Sequence, residues 1–433
     1  MKNIRDLHVE KEILPLFDFV GNEFSRDALI GLLSELPGTL GEILERQQVL
    51  QCLLSNEKLL SLGGVGVSGA SFARGPLYSK SEFHEVYRTV EELSNRDAPV
   101  PGRLYLSLFS AKRNQEIGRL NQLTLFFYKL YHAYYVPLNP AAFPEAFALR
   151  LTRSIRFLSD LEIEKNQAIV RGKGFNLTAV VPLMGLLEEK IREGEMDRFW
   201  EDFFLLDAYL SIARGIRQHG FTFPVFGETG LAIRDFYHPL VKNPVKNSLT
   251  MREEVVLLTG PNMSGKSTCL KAVGLCVFLG HLGVAVPAEQ CELSFFDVIS
   301  IAIDLADDLQ SGYSHFMSEV KTLKDVVLEA SRPRRCFAIF DELFRGTNVE
   351  DALAISKTTI LGLTKFTGSC FIISTHLHQL KDVVTDERIG TYYIECSLEQ
   401  GRPVFTYRLR RGWSDLKIGQ VIFDQEGLNG LLE

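Results

Sequence analysis

The chain has 433 residues, 46% hydrophobic and 23% charged, an ordinary globular composition at a length that exceeds one ordinary core. Its formal net charge of −7 argues against strong unspecific binding of nucleic acid, because neutralising phosphates with Lys and Arg supplies most of that affinity. Seven cysteines lie scattered without a Cys-x-x-Cys pair, which argues against a disulfide framework or a cysteine metal site and points to reduced thiols in a cytoplasm.

The opening segment, MKNIRDLHVEKEILPLFDFV, carries charges throughout, so no signal peptide is expected. The stretch LGEILERQQVLQCLLSNEKLL follows, with Leu40, Ile43, Leu44, Leu50, Leu53 and Leu54 at helical spacing. GRLNQLTLFFYKLYHAYYVPLNPAAFPEAF is aromatic-rich and broken by Pro137, Pro140 and Pro144, a pattern of core packing. TAVVPLMGLL is too short to cross a bilayer, which takes about 20 residues. FWEDFFLLDAYLSIARGIRQHG predicts a helix with Phe203, Leu206, Tyr209, Leu210, Ala213 and Ile216 on one stripe, ending at Gly220 as a C-terminal cap. No internal repeat is visible.

Near GFTFPVFGETG the pattern changes. EEVVLLTG, RCFAIFDE and SCFIISTH are apolar on both faces, as buried parallel strands are, and each is followed by a turn and a helical pattern. This alternation predicts an α/β sheet covered by helices. The first strand runs into LLTGPNMSGKSTCL, which holds Gly260-x-x-x-x-Gly265-Lys266-Ser267, and STCLKAVGLCVFLGHLG then reads as a helix. Strand, glycine loop and helix in that order form a phosphate-binding loop, whose backbone N–H groups and helix dipole cradle phosphate. Lys266 is expected on the β- and γ-phosphates, and the Ser267 hydroxyl on Mg²⁺. The second strand ends in Asp341-Glu342, where α/β sheets place ligand chemistry. Asp341 is read as belonging to the magnesium shell and Glu342 as polarising the attacking water. The third strand ends in Thr375-His376, and His376, ahead of His378, is the candidate sensor of the γ-phosphate. SRPRR and YRLRRGW read as solvated loop or strand edge.

Together these motifs resemble the ATPase domain of the MutS family, the DNA mismatch-repair ATPases. The family loop Gly-Pro-Asn-Met-Gly-Gly-Lys-Ser-Thr is matched by GPNMSGKST, differing only at Ser264, and Asp-Glu-x-x-Arg-Gly-Thr is matched by DELFRGT. DDLQSGYSHFMSE resembles the signature stretch, VPAE the segment after the loop helix, and YHPL the element opening the domain. The resemblance spans about Phe236 to Gly419. It implies an α-helical N-terminal lever or core domain with a reduced clamp (1–225), then a C-terminal α/β P-loop NTPase, the ABC-type ATPase of this family (226–433). The Leu-Ser-Gly-Gly-Gln signature of the separate ABC class is absent.

The resemblance further implies a cytoplasmic, ATP- and Mg²⁺-dependent homodimer with composite sites and no membrane partner. Gly260, Pro261, Asn262, Met263, Ser264, Gly265, Lys266, Ser267 and Thr268 would bind the nucleotide; Glu342, His376 and Lys266 would act catalytically; Ser267 and Asp341 would hold the metal. Ser314, with Ser311 and Gly312, would face the partner's γ-phosphate. Of two aromatic residues that usually sandwich adenine, one is lost at Val245 and Tyr407 supplies the other. The lever helices imply a clamp on mismatched, branched or junction DNA. The family's mismatch-reading domain and connector would precede them, and no room is expected for these; FHE, FPE and FWE match its Phe-x-Glu wedge, but with 30 Phe such matches arise by chance. The alternative is an ATP-switched assembly module gripping a protein or ribonucleoprotein.

Overall fold

Strands that are apolar at every position can only be satisfied where both faces are covered, and this rule organises the second half of the chain. In a computed structural model of the protein, which describes residues 2–60, 77–95, 109–172, 176–228, 230–303, 315–344, 347–383, 385–400, 402–414, 421, 423, 425, 431 and 432, the chain divides into two compact units. One takes Met1–Pro15, Leu36–Ile43 and His219–Glu433; the other takes Leu16–Glu35 and Leu44–Gln218. The first fifteen residues, assigned from the sequence to the helical half, therefore join the α/β unit.

The strands of that unit are β1 (Lys2–Asn3), β2 (Val225–Gly227), β3 (Leu231–Phe236), β4 (Asn247–Met251), β5 (Val255–Thr259), β6 (Gln290–Ser294), β7 (Val298–Ala302), β8 (Cys336–Phe340), β9 (Cys370–Ser374), β10 (Ile389–Glu399) and β11 (Arg402–Arg411). A seven-stranded sheet runs β1-β7-β8-β9-β5-β10-β11, parallel except for the β10–β11 hairpin. All five residues of β5, β7, β8 and β9 are buried. A second sheet, β2-β6-β3-β4, is mixed. Lys2 and Asn3 pair with Ile299 and Ser300, and the Asp6 carboxylate accepts from Ile303 N–H at 2.7 Å, which explains why the N-terminus belongs here.

The helical unit contains α1 (Glu23–Ser34), most of α2 (Leu40–Leu54), α3 (Lys80–Ser94), α4 (Ser110–Leu130), α5 (Glu145–Asp160), α6 (Ile163–Arg171), α7 (Leu177–Arg192) and α8 (Glu195–His219). Asn22, Ser79 and Asn176 cap the N-termini of α1, α3 and α7. Gly220, with φ 65°, follows α8 in the left-handed conformation predicted for it. The stripe predicted on α2 holds at Ile43, Leu50 and Leu53, but Leu44, one position round the helix from Ile43, is exposed. Phe83, Phe126, Phe127, Phe199, Trp200 and Phe203 form a buried aromatic core. Among them Asp207 accepts from the Tyr134 and Tyr78 hydroxyls at 3.2 and 3.4 Å, and burial raises its carboxyl pKa. Asp202 is gripped by Arg150 and Arg153 at 2.8 and 2.7 Å.

In the α/β unit, α9 (Lys266–His281), α10 (His315–Ala330) and α11 (Val349–Leu363) cover the large sheet. No helix among the described residues is long and apolar enough to cross a membrane. Five of the seven free cysteines are buried, and burial pushes the thiols of Cys269, Cys291 and Cys370 up to about 12.

Candidate functional site

Strand order decides which loops meet. β9 lies between β8 and β5, so the turns leaving Phe340, Ser374 and Thr259 emerge side by side at the C-terminal edge of the sheet. The glycine loop connects β5 to α9 and ends on Gly265, whose φ of 96° turns the chain into the helix. Lys266 opens that helix almost wholly buried, and its Nζ donates to the Gly260 carbonyl at 2.9 Å. The same Nζ lies 3.4 Å from the Pro261 carbonyl and 3.5 Å from Glu342 Oε1. Ser267 presents its Oγ to Asp341 Oδ2 at 2.5 Å across 74 residues of sequence. Residues taken from two separate motifs thus form one polar cluster at the positive end of a 16-residue helix.

Asp341 and Glu342 are held by a residue that the motifs did not flag. The Ser374 hydroxyl donates to Asp341 Oδ1 and accepts from Glu342 N–H at 2.9 Å. Glu342 and Phe344 both have positive φ, 52° and 66°, and Phe344 N–H donates to the Glu319 carboxylate on α10 at 2.9 Å. A non-glycine residue in this conformation is held there by its surroundings, here two side-chain acceptors. The signal that could have found Ser374 is its place at the end of the middle strand, one residue before Thr375-His376. His376 follows that strand in an exposed position.

Ser264 has a simple explanation. The left-handed position in the loop falls on Met263, with φ 68°, and not on Ser264. Its side chain is fully buried and turns under the loop, where a Cβ on Gly260 would lie 3.1 Å from Ser264 Oγ. Gly260, with φ 141°, makes the room. The hydroxyl has no hydrogen-bond partner among the described residues. Asn262 and Met263 in the turn, and Ser267 and Thr268 at the start of α9, are exposed.

Beside the loop opens a cleft of about 410 Å³ lined by Phe236, Tyr237, Val245, Thr268, Cys269 and Tyr407, among others. Tyr407 is half exposed, and its ring comes within 3.1 Å of where a Cβ on Gly265 would sit. Val245 lies in the wall, and Tyr237, which the sequence reading did not single out as an aromatic of the site, brings a further ring beside Phe236 and Tyr407. Ser311, Gly312 and Ser314 lie outside the described residues, as do Arg345 and Gly346 of DELFRGT. The basic clusters are largely paired: Arg332 and Arg334 with Glu329, Arg410 with Glu395, and Arg411 with Glu253.

Residues 256–427 match the family model MutS domain V. The DNA mismatch repair protein MutS of a Thermus thermophilus strain is 36% identical over 227 residues, 52% of this chain and 27% of that protein. The DNA mismatch repair protein MutS of a Bacillus cereus strain is 29% identical over 326 residues, 71% of this chain and 36% of that protein. The protein of the same name from Bacillus velezensis is 29% identical over 281 residues, 62% of this chain and 32% of its own length. The chain thus spans about a third of the length of these relatives.

Proposed function

We propose that this chain, which belongs to the MutS family, is a Mg²⁺-dependent ATPase whose paired ATPase domains work a clamp on DNA in a repair-related role. The observation that supports it best is the convergence of Ser267 on Asp341 at 2.5 Å and of Lys266 on Glu342 at 3.5 Å. The donor set fits magnesium: a hydroxyl and a carboxylate are hard oxygen ligands. No group of three or more His, Cys, Asp or Glu gathers into a metal cage among the described residues. That suits an ion sharing its shell with phosphate oxygens. When bound, magnesium neutralises charge building on those oxygens.

The chain's own residues supply the rest. The loop from Gly260 to Thr268 wraps the polyphosphate with backbone N–H groups, and Lys266 places its ammonium on the β- and γ-phosphates. Ser267 and Asp341 hold the metal. Glu342, whose backbone N–H donates to the Ser374 hydroxyl, polarises the attacking water. His376 reads the state of the γ-phosphate, and Tyr407 stacks on the adenine. Ser314 completes the site of the partner subunit, so that ATP turnover opens and closes the homodimer. Mismatched, branched or junction DNA is the substrate the family suggests.

The net charge of −7 favours a second reading, an ATP-switched assembly module that grips a protein or ribonucleoprotein. Binding of branched and duplex DNA across a salt series, with and without ATP, separates the two. A clamp binds branched DNA in one nucleotide state with a clear salt slope; no binding to any DNA form in either state removes it.

A further inference from the structure

We infer that Asn247 is a positioning residue which holds Tyr407 over the glycine loop and thereby sets how tightly the base of a nucleotide is gripped. The inference rests on the nucleotide-site reading given above.

Tyr407 does not sit in regular strand. Ile394 pairs with Leu409 and Cys396 with Phe405, so Thr406, Tyr407 and Arg408 oppose the single residue Glu395. Within this bulge Tyr407 takes φ 57°, a left-handed conformation that a bulky side chain adopts only when its surroundings impose it. One restraint is local, since Thr406 Oγ1 donates to Glu395 and accepts from Arg408 N–H. The other comes from 160 residues earlier in the chain. Asn247 Nδ2 donates to the Tyr407 carbonyl at 2.9 Å, and Asn247 Oδ1 accepts from Leu409 N–H at 2.8 Å. The side-chain amide thus behaves as one peptide of a neighbouring strand and satisfies the backbone on either side of Arg408.

Asn247 is also well placed to join the two walls of the cleft. It is the first residue of β4 and pairs with Phe236, which lines the cleft with Tyr237 on one side while Tyr407 lines it on the other. Fixing the bulge fixes the direction of the Tyr407 ring above Gly265, in the direction of a base attached to phosphates in the loop. Aspartate at this position lacks the donor, and glutamine is one methylene too long for both bonds.

Isothermal titration of the full chain with ATP and, separately, with inorganic tripolyphosphate tests this, because tripolyphosphate fills the loop and leaves the base cleft untouched. Asn247→Ala is expected to weaken ATP about tenfold, the loss of roughly one to two hydrogen bonds, and to leave tripolyphosphate within about twofold. In a Tyr407→Ala background the same substitution should change ATP affinity by about twofold or less, since the ring it positions is gone. Unchanged ATP binding in Asn247→Ala overturns the inference, as do equal losses for both ligands or multiplying effects of the two substitutions. If Asn247→Ala does not fold, Asn247→Asp, which keeps the acceptor for Leu409, carries the same comparison. Failure of the wild-type chain to bind either ligand instead removes the nucleotide reading itself, and the inference with it.

Discussion

His281 ties the stability of the α/β unit to pH. It ends α9, is 2% exposed, and is ringed by Phe226, Phe295 and Phe296. Nδ1 contacts the Val277 carbonyl at 2.8 Å and Nε2 accepts from Phe296 N–H at 2.9 Å, so the proton sits on Nδ1 and the ring is neutral. Protonating Nε2 would set one N–H against another. Burial lowers the pKa from 6.5 to about 4, against the opposing pull of the Val277 carbonyl. An unfolded chain therefore takes up this proton near pH 6.5, whereas the folded one resists until about pH 4. Stability from this group is complete above pH 6.5 and is lost as pH falls toward 4, by about 3 kcal/mol in all. The assay is urea unfolding between pH 7.5 and 4, followed by Trp413 fluorescence in a Trp200→Phe background so that only the α/β unit reports. His281→Gln retains a donor and an acceptor but does not titrate, so its stability should converge on that of wild type by about 3 kcal/mol over this range. Parallel curves for the two proteins would refute the reasoning.

Three further outcomes follow from the geometry. Glu342→Gln should retain ATP binding and slow phosphate release by about 10²–10⁴-fold, whereas Lys266→Ala should lose binding in the same titration. A wild-type rate in Glu342→Gln would pass the water-activating role to another residue. Ser264→Ala removes a buried hydroxyl that has no partner among the described residues while keeping the Cβ, and should raise unfolding free energy by about 1 kcal/mol in denaturant melts; a comparable loss would show that the hydroxyl is satisfied in solution. Ser374→Ala removes the group bonded to both Asp341 and Glu342 N–H, and should lower the ATPase rate by about tenfold or more while ATP binding changes little; an unaltered rate would make that serine a packing residue.

Much of the large sheet was legible because a buried parallel strand announces itself in contiguous sequence. β5, β8 and β9 coincide with three apolar runs, and α9 and α11 with the helical patterns that follow β5 and β8. The helical unit was less legible at its edges. Leu44 shows why: a period of 3.6 residues marks a broad stripe, and only packing decides which residue at its margin is covered. The N-terminal strand β1, two residues long, has no period to read at all.

What the sequence determined by itself was local: a glycine loop between an apolar strand and a helix, an acidic pair after another strand, and a set of motifs shared with one family. These are encoded at short spacing, where backbone conformation and residue type suffice. Which of them touch was decided by tertiary structure, because sheet order is set by burial summed over all strands. Placing β9 between β8 and β5 brought Asp341 to Ser267 and put Ser374 between the two motifs. The same holds for the bond from Asn247 to the Tyr407 bulge and for Ser264, whose fit depends on a side chain turning under Gly260. No spacing rule reaches such contacts, since they join positions that become neighbours only when the sheets close.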